Sequence, residues 1–161
     1  DWANAFAKTE IAADENVLRR VTAHHTGYRR IGVEHQRTVS GFTDERWMVE
    51  DRVESRDPSS QTVRLHWLVP DWKWESEERE SGIGIRLKSP EGWITLNIRC
   101  NARMQLCVAR GGSLIGGQGD VEPFEGWFSP TYDQKVPALS LAFNVESKLP
   151  VTFTTEFIFP K

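Results

Sequence analysis

The chain predicts an all-β antiparallel sandwich of about ten short strands with little or no helix. Three observations carry that expectation. From Gly27 to Pro70, apolar and polar residues alternate through three consecutive runs, each closed by turn residues, the pattern of a β-meander. Similar runs recur along the rest of the chain at the spacing of short strands. Between them, no stretch shows the apolar period of an amphipathic helix, and no internal repeat is present.

Taken in order, Asp1 to Asn16 (DWANAFAKTEIAADEN) is the one Ala-rich stretch, which reads as a helical turn or a linker from an upstream domain. The sandwich then occupies residues 17–161, since a chain of 161 residues is one domain by length. Its expected strands are Val17–Thr26, Ile31–Ser40, Glu45–Glu54, Gln61–Val69, Trp72–Glu75, Gly82–Lys88, Gly92–Cys100, Met104–Arg110, Leu139–Val145 and Pro150–Phe159. Asp57-Pro58-Ser59-Ser60 and Ser89-Pro90-Glu91-Gly92 supply turn chemistry between them. Glu75 to Ser81 (ESEERES) is so uniformly polar that it reads as a solvated loop rather than a cation site. Gly111 to Gly126 resembles a phosphate cradle but lacks the Gly-Lys-Ser/Thr ending and the helix that would follow. A long mobile loop is expected there.

Charge and apolar patterning narrow the classes of partner. The formal net charge of −3 gives no overall basic field, so neither nucleic acid nor an anionic membrane surface is favoured as the main partner. Apolar runs are short and repeatedly interrupted, so no transmembrane helix is expected. The chain begins at Asp1 rather than Met, as an excised or processed fragment would.

The first hairpin carries the most selective signal. Its core-facing positions are Ile31, Val33, His35, Arg37 and Val39, then Trp47, Val49, Asp51 and Val53. Centred on Asp44, the hairpin sets Val39 opposite Val49, Arg37 opposite Asp51 and His35 opposite Val53. A charge on a core face is tolerated when paired, so Arg37 and Asp51 are expected to form an internal ion pair with a structural role.

Other chemistry-bearing residues are less organised. His24 and His25 are adjacent and so point to opposite faces of a strand, and His66 points away from the face of Trp67. No metal site is therefore expected, although Asp51 is a ligand type, and His35 and His66 read as core hydrogen-bonding residues. A two-residue hairpin turn at Asn101 and Ala102 sets Cys100 opposite Arg103 and Cys107 opposite Leu96, so both thiols are expected free. Seven tryptophans are a high load. Trp72 and Trp74 in DWKWE share one side of a short strand, a spacing that suits stacking on sugar rings with Lys73 beside them, or packing at the sandwich edge. Trp127 is a further carbohydrate candidate that reads more simply as an anchor for the glycine-rich loop.

Five motifs carry a family resemblance. GYRRIGVEHQRTV, ERWMVEDRV and VRLHWLVPD, with GWFSPTYDQKVPAL and LPVTFTTEFIFP near the end, resemble the C-terminal all-β region of heparinase II/III-like proteins, bacterial polysaccharide lyases and their relatives. The resemblance spans roughly Val21 to Pro160. It implies an accessory, non-catalytic domain that packs on an upstream α/α toroid and helps shape a cleft for acidic polysaccharide, in a periplasmic or extracellular setting. It also implies that the family's catalytic and metal-binding histidines lie upstream of these motifs, so no catalytic residue or cofactor is assigned here. Uronate elimination needs a base such as Tyr or His and a clamp for the carboxylate. Tyr28, Tyr132, Arg29 and Arg30 supply those types without a spacing that assembles them. The alternative is a stand-alone carbohydrate-binding module, which requires Trp72 and Trp74 to lie flat in solvent.

Overall fold

The structure is a computed structural model, and it describes residues 5–10, 16–25, 27–57 and 59–160. Thirteen strands and a single 3-10 turn, Arg29–Ile31, make up its regular elements. They are β1 Ala5–Glu10, β2 Val17–His25, β3 Val33–Phe42, β4 Trp47–Ser55, β5 Ser60–Pro70, β6 Trp74–Arg79, β7 Gly82–Ser89, β8 Gly92–Cys100, β9 Gln105–Arg110, β10 Ser113–Gly117, β11 Trp127–Phe128, β12 Val136–Lys148 and β13 Val151–Ile158. Among the described residues no helix is long and apolar enough to cross a membrane.

The strands form an eight-stranded sheet in the order β1-β2-β3-β4-β13-β8-β7-β6 and a five-stranded sheet built on β12. In the smaller sheet β9 flanks β12 on one side with β10 beyond it, and β5 and the short β11 pair with its other side. All pairings are antiparallel, giving the expected all-β sandwich. Between the sheets lie Ile85, Leu87, Leu96, Ile98, Leu139, Leu141, Phe143, Val151 and Phe153, each at most 2% exposed. Burial of this kind contributes about 25 cal/mol per Å² of apolar surface.

Several expectations need correction. The three runs from Gly27 to Pro70 are not one meander: β3 and β4 form a hairpin, but β5 leaves that sheet and pairs with β12 along its full length. Val63, Leu65, Trp67 and Val69 then face the large sheet across the core, and alternation within a strand does not say which sheet it joins. The expected hairpin at Asn101 and Ala102 is likewise a crossover, since β8 pairs with β7 and β13 while β9 pairs with β12 and β10. Cys100 and Cys107 are free thiols on different sheets. His66 is not a core residue: it stands on the outer face of β5, and its Nε2 lies 2.7 Å from the hydroxyl of buried Ser140.

Within the Ala-rich opening, residues 5–10 are strand β1, paired with β2 from Ala5 opposite His25 to Glu10 opposite Arg20, where a helical turn or linker was expected. The remainder of that stretch, residues 1–4 and 11–15, lies outside the described residues, as does Pro58 of the Asp57–Ser60 turn. The charged run Glu75 to Ser81 is mostly strand too: β6 pairs with β7 through Arg79 opposite Gly82. Edge strands with charged residues resist pairing with other chains, which accounts for its composition.

Glycines in the Gly111 to Gly126 segment serve close approach. The segment contains β10 rather than loop alone, and it is tied down by Gly111 N–H to Gly126 C=O and Gln118 N–H to Leu106 C=O, each 2.8 Å. Gly117 has φ +73°, and a Cβ there would sit 2.1 Å from the Leu106 carbonyl oxygen. Gly32 has a similar φ of +70° but meets nothing nearer than 3.9 Å. Gly117→Ala is therefore expected to destabilise the domain by about 1–3 kcal/mol more than Gly32→Ala, the shared backbone penalty cancelling. Urea unfolding of the two variants measures the difference, and equal losses would mean that β10 and β9 are not this close.

Candidate functional site

The cluster at the open end of the first hairpin begins with register. Arg37 on β3 stands opposite Asp51 on β4, and Asp51 is 2% exposed. Arg37 donates through Nε to Asp51 Oδ1 at 2.7 Å and through Nη2 to Oδ2 at 3.0 Å, the two-pronged geometry that suits guanidinium and carboxylate. The guanidinium also lies 5.0 Å from the ring centre of Trp67, an aromatic surface that holds it in place.

Two histidines extend the cluster. His35 Nε2 lies 2.7 Å from Asp51 Oδ1, His25 Nε2 lies 3.1 Å from His35 Nδ1, and Gly27 N–H donates to His25 Nδ1 at 3.1 Å. The Gly27 donor fixes the protons along this line. His25 Nδ1 must accept, so His25 Nε2 carries the hydrogen and donates to His35 Nδ1, and His35 Nε2 then donates to Asp51. Each ring is then satisfied at both nitrogens. Burial raises the Asp51 pKa, but the hydrogen bonds from His35 and Arg37 outweigh it and hold the carboxyl below its ordinary value. Asp51 is thus an anchored anion rather than a base awaiting a proton. Sequence reasoning paired Arg37 with Asp51 but missed His25, whose place became visible only once β2 was known to pair His25 with His35.

His35, Arg37 and Asp51 line a cleft of about 450 Å³ where the two sheets part, with Val33, Val53 and Phe153 supplying apolar wall and Tyr28 at its edge. Tyr28 is 51% exposed and its ring lies 5.2 Å from that of His25. The arrangement can hold a polar or anionic group against the Arg37 guanidinium. Among the described residues no three His, Cys, Asp or Glu side chains converge on one point as metal ligands would.

Beyond the cleft, the large sheet extends past the small one. The hydrophobic cluster draws on β5 to β9, β12 and β13, and β1 to β4 contribute nothing to it. Register places Ala5, Ala7, Val21, Ala23, Val39 and Trp47 on the same face as Arg37. Ala5 and Ala7 are exposed, and Trp47 is 47% exposed. Val33, Val49 and Asp51 on this face are buried, so its open apolar part is the stretch at β1 and the Trp47 end.

The tryptophan candidates are placed differently from one another. Trp72 and Trp74 are partly buried and pack against the core, and the backbone at Gly116 lies so close to the Trp74 ring that a Cβ would sit 2.3 Å from it. They do not form a flat pair in solvent. Lys73, one residue along, is exposed on the opposite face. Trp127 donates from Nε1 to the Pro123 carbonyl at 3.1 Å, contacts Gly111, and lies 4.2 Å beneath the Lys135 ammonium. It clasps the glycine-rich segment.

The architecture is a two-sheet antiparallel sandwich whose larger sheet extends past the smaller one at β1 and β2. The family model of the heparinase II/III-like C-terminal region matches residues 1–156, and the chain belongs to that family. Among solved structures it is similar to a heparinase III with methylated lysines (18% identity, TM-score 0.67, covering 96% of this chain and 21% of that one). It is also similar to a mutant heparan sulfate lyase from Pedobacter heparinus (15% identity, TM-score 0.65, 94% and 21%) and to another heparinase III (14%, 0.67, 98% and 21%). The chain thus spans about a fifth of the length of each. No curated protein matches it closely enough to count as a relative.

Proposed function

We propose that this domain is the non-catalytic C-terminal accessory domain of a polysaccharide lyase, seated on a helical α/α toroid of the same parent chain. The exposed part of the inner face, at β1 and Trp47, carries this reading. A sheet face with exposed Ala5, Ala7 and Trp47 leaves apolar surface in water unless another body covers it. Beside that face, Arg37 and His35 border the cleft, where the guanidinium suits the acidic groups of a uronate polymer. The parent works on polymers met in the periplasm or outside the cell. A stand-alone carbohydrate-binding module using Trp72 and Trp74 fits less well, because both indoles are turned into the core.

Two measurements test it. The chain alone is expected to give no rise in ultraviolet absorbance from unsaturated product on heparin, heparan sulfate or alginate. Mixed with the separately produced remainder of its parent, it should associate, and Ala23→Glu combined with Val39→Lys should weaken association at least tenfold by placing charge on the covered face. Turnover by the chain alone overturns the accessory role. Association that ignores the double substitution overturns the docking face.

A further inference from the structure

The outer face of the large sheet, at the edge opposite β1, carries a concentration of cations around one indole. Trp93 on β8 stands opposite Lys88 on β7 and is partly buried. The Arg86 guanidinium lies 4.4 Å from its ring centre, the Lys88 ammonium 5.6 Å and the Lys73 ammonium 6.0 Å. All three cations are exposed. Glu75 is the acid that faces them, 3.4 Å from Arg86 Nη1 and 3.9 Å from Lys73 Nζ. Three positive charges against one negative leave this corner positive in a chain whose net charge is −3.

Strand pairing does not require the arrangement. The β7–β8 ladder runs from Ile83 opposite Ile98 to Ser89 opposite Gly92, and the other face of these strands is filled by Ile83, Ile85, Leu87, Leu96 and Ile98. Gathering three like charges around one ring opposes stability through their mutual repulsion. Stacking on an indole also holds a guanidinium flat, and the Arg86 edge not turned to Glu75 is free to meet a planar anion.

We propose that Trp93, Arg86, Lys88 and Lys73 form a binding site for the carboxylate or sulfate groups of an acidic polysaccharide. The site is separate from the cleft at Arg37, on the other face and in the other half of the sheet. The choice of a glycan rests on the lyase reading above. A site here would hold a stretch of polymer outside the cleft while the remainder of the strand is engaged elsewhere. Three cations make a patch too short to track a nucleic-acid backbone, and a sugar acid needs only one such pocket.

The test is titration of the chain with a short heparan sulfate oligosaccharide at low salt, followed by nuclear magnetic resonance of the indole N–H groups and by calorimetry. The Trp93 indole is expected to shift while those of Trp72 and Trp74 stay in place. Arg86→Gln with Lys88→Gln should weaken binding about fivefold to tenfold, with no fall in melting midpoint and with a shallower dependence on salt. A shift confined to the Trp67 indole, which stacks on Arg37 beside the cleft, would remove this site and leave the cleft reading intact. Unaltered affinity in the double variant would also overturn it. Binding of duplex DNA as tightly as of the glycan would make the patch a general anion surface and end the glycan assignment. Absence of glycan binding, with toroid association retained, would reject this site alone.

Discussion

Replacing Arg37 with Ala is expected to cost the folded domain about 3 kcal/mol at neutral pH, the lower end of the range for breaking a buried ion pair. The lower end applies because the Arg37 side chain is 39% exposed while that of Asp51 is 4% exposed. That asymmetry sets the order of the variants. Without Arg37, the carboxylate stays buried with His35 as its remaining side-chain partner. Without Asp51, Arg37 still reaches water, so Asp51→Ala is expected to cost less. Arg37→Lys should recover part of the loss, since an ammonium restores charge but not the two-pronged contact. Urea unfolding ranks all three, and a loss below about 0.5 kcal/mol for Arg37→Ala would place the pair among ordinary surface contacts.

The same pair dictates an acid limb. Asp51 has a folded pKa below its ordinary value, so its contribution is fully present above the unfolded carboxylate pKa of about 3.9 and is lost as pH falls through the folded value. Below that point Asp51 is neutral and Arg37 has lost its charged partner. The difference in stability between the parent domain and Arg37→Ala should therefore narrow as pH falls through the carboxylate range. A difference that stays constant would mean that Arg37 acts through Trp67 and not through Asp51.

How far the fold could be read from residues alone follows from what each strand buries. β3 and β4 were legible to the register because Val39, Val49 and the two charges all point one way and Asp44 marks the turn. β1 was not, since Ala5 and Ala7 line a face that the small sheet does not cover, and small residues there carry no strand signal. β6 was missed because Glu75, Glu77 and Glu78 make an edge strand look like a solvated loop. β10 was hidden by glycines that let its backbone approach Leu106 and Trp74. Sheet membership lay beyond local pattern altogether: β5 alternates as regularly as β4 yet belongs to the other layer.

The candidate site divides along the same line. Arg37 and Asp51 are one hairpin apart, so their pairing was within reach. His25 joins only through β2, and Trp93 gains its meaning only when Arg86 and Lys88 of β7 and Lys73 just before β6 come round it. Lys73 was read beside Trp72 and Trp74 because it is adjacent to them in the chain, but alternation sends it to the opposite face, where its aromatic neighbour is Trp93.

Phe153→Ala is expected to be the most destabilising single truncation near the site, at about 3–5 kcal/mol. Phe153 is 1% exposed on β13, the strand that joins the β1–β4 half of the large sheet to the β8–β6 half. Its backbone stands opposite Asp51 on one side and Cys100 on the other, so its ring belongs to the core while also forming cleft wall beside the ion pair. Truncation leaves a cavity that a sheet held between two paired neighbours cannot close, which is why the upper part of the range is in view. The cavity would also open a path for water toward Asp51. Stranding that carboxylate then becomes cheaper, so Arg37→Ala made in the Phe153→Ala background should cost less than in the parent, with a coupling energy of about 1 kcal/mol or more. Urea unfolding of the two single variants and the double variant measures it. Strictly additive losses would show that the core and the ion pair are energetically separate, and a Phe153→Ala loss under about 1 kcal/mol would show that the wall of the cleft is not part of the packed core.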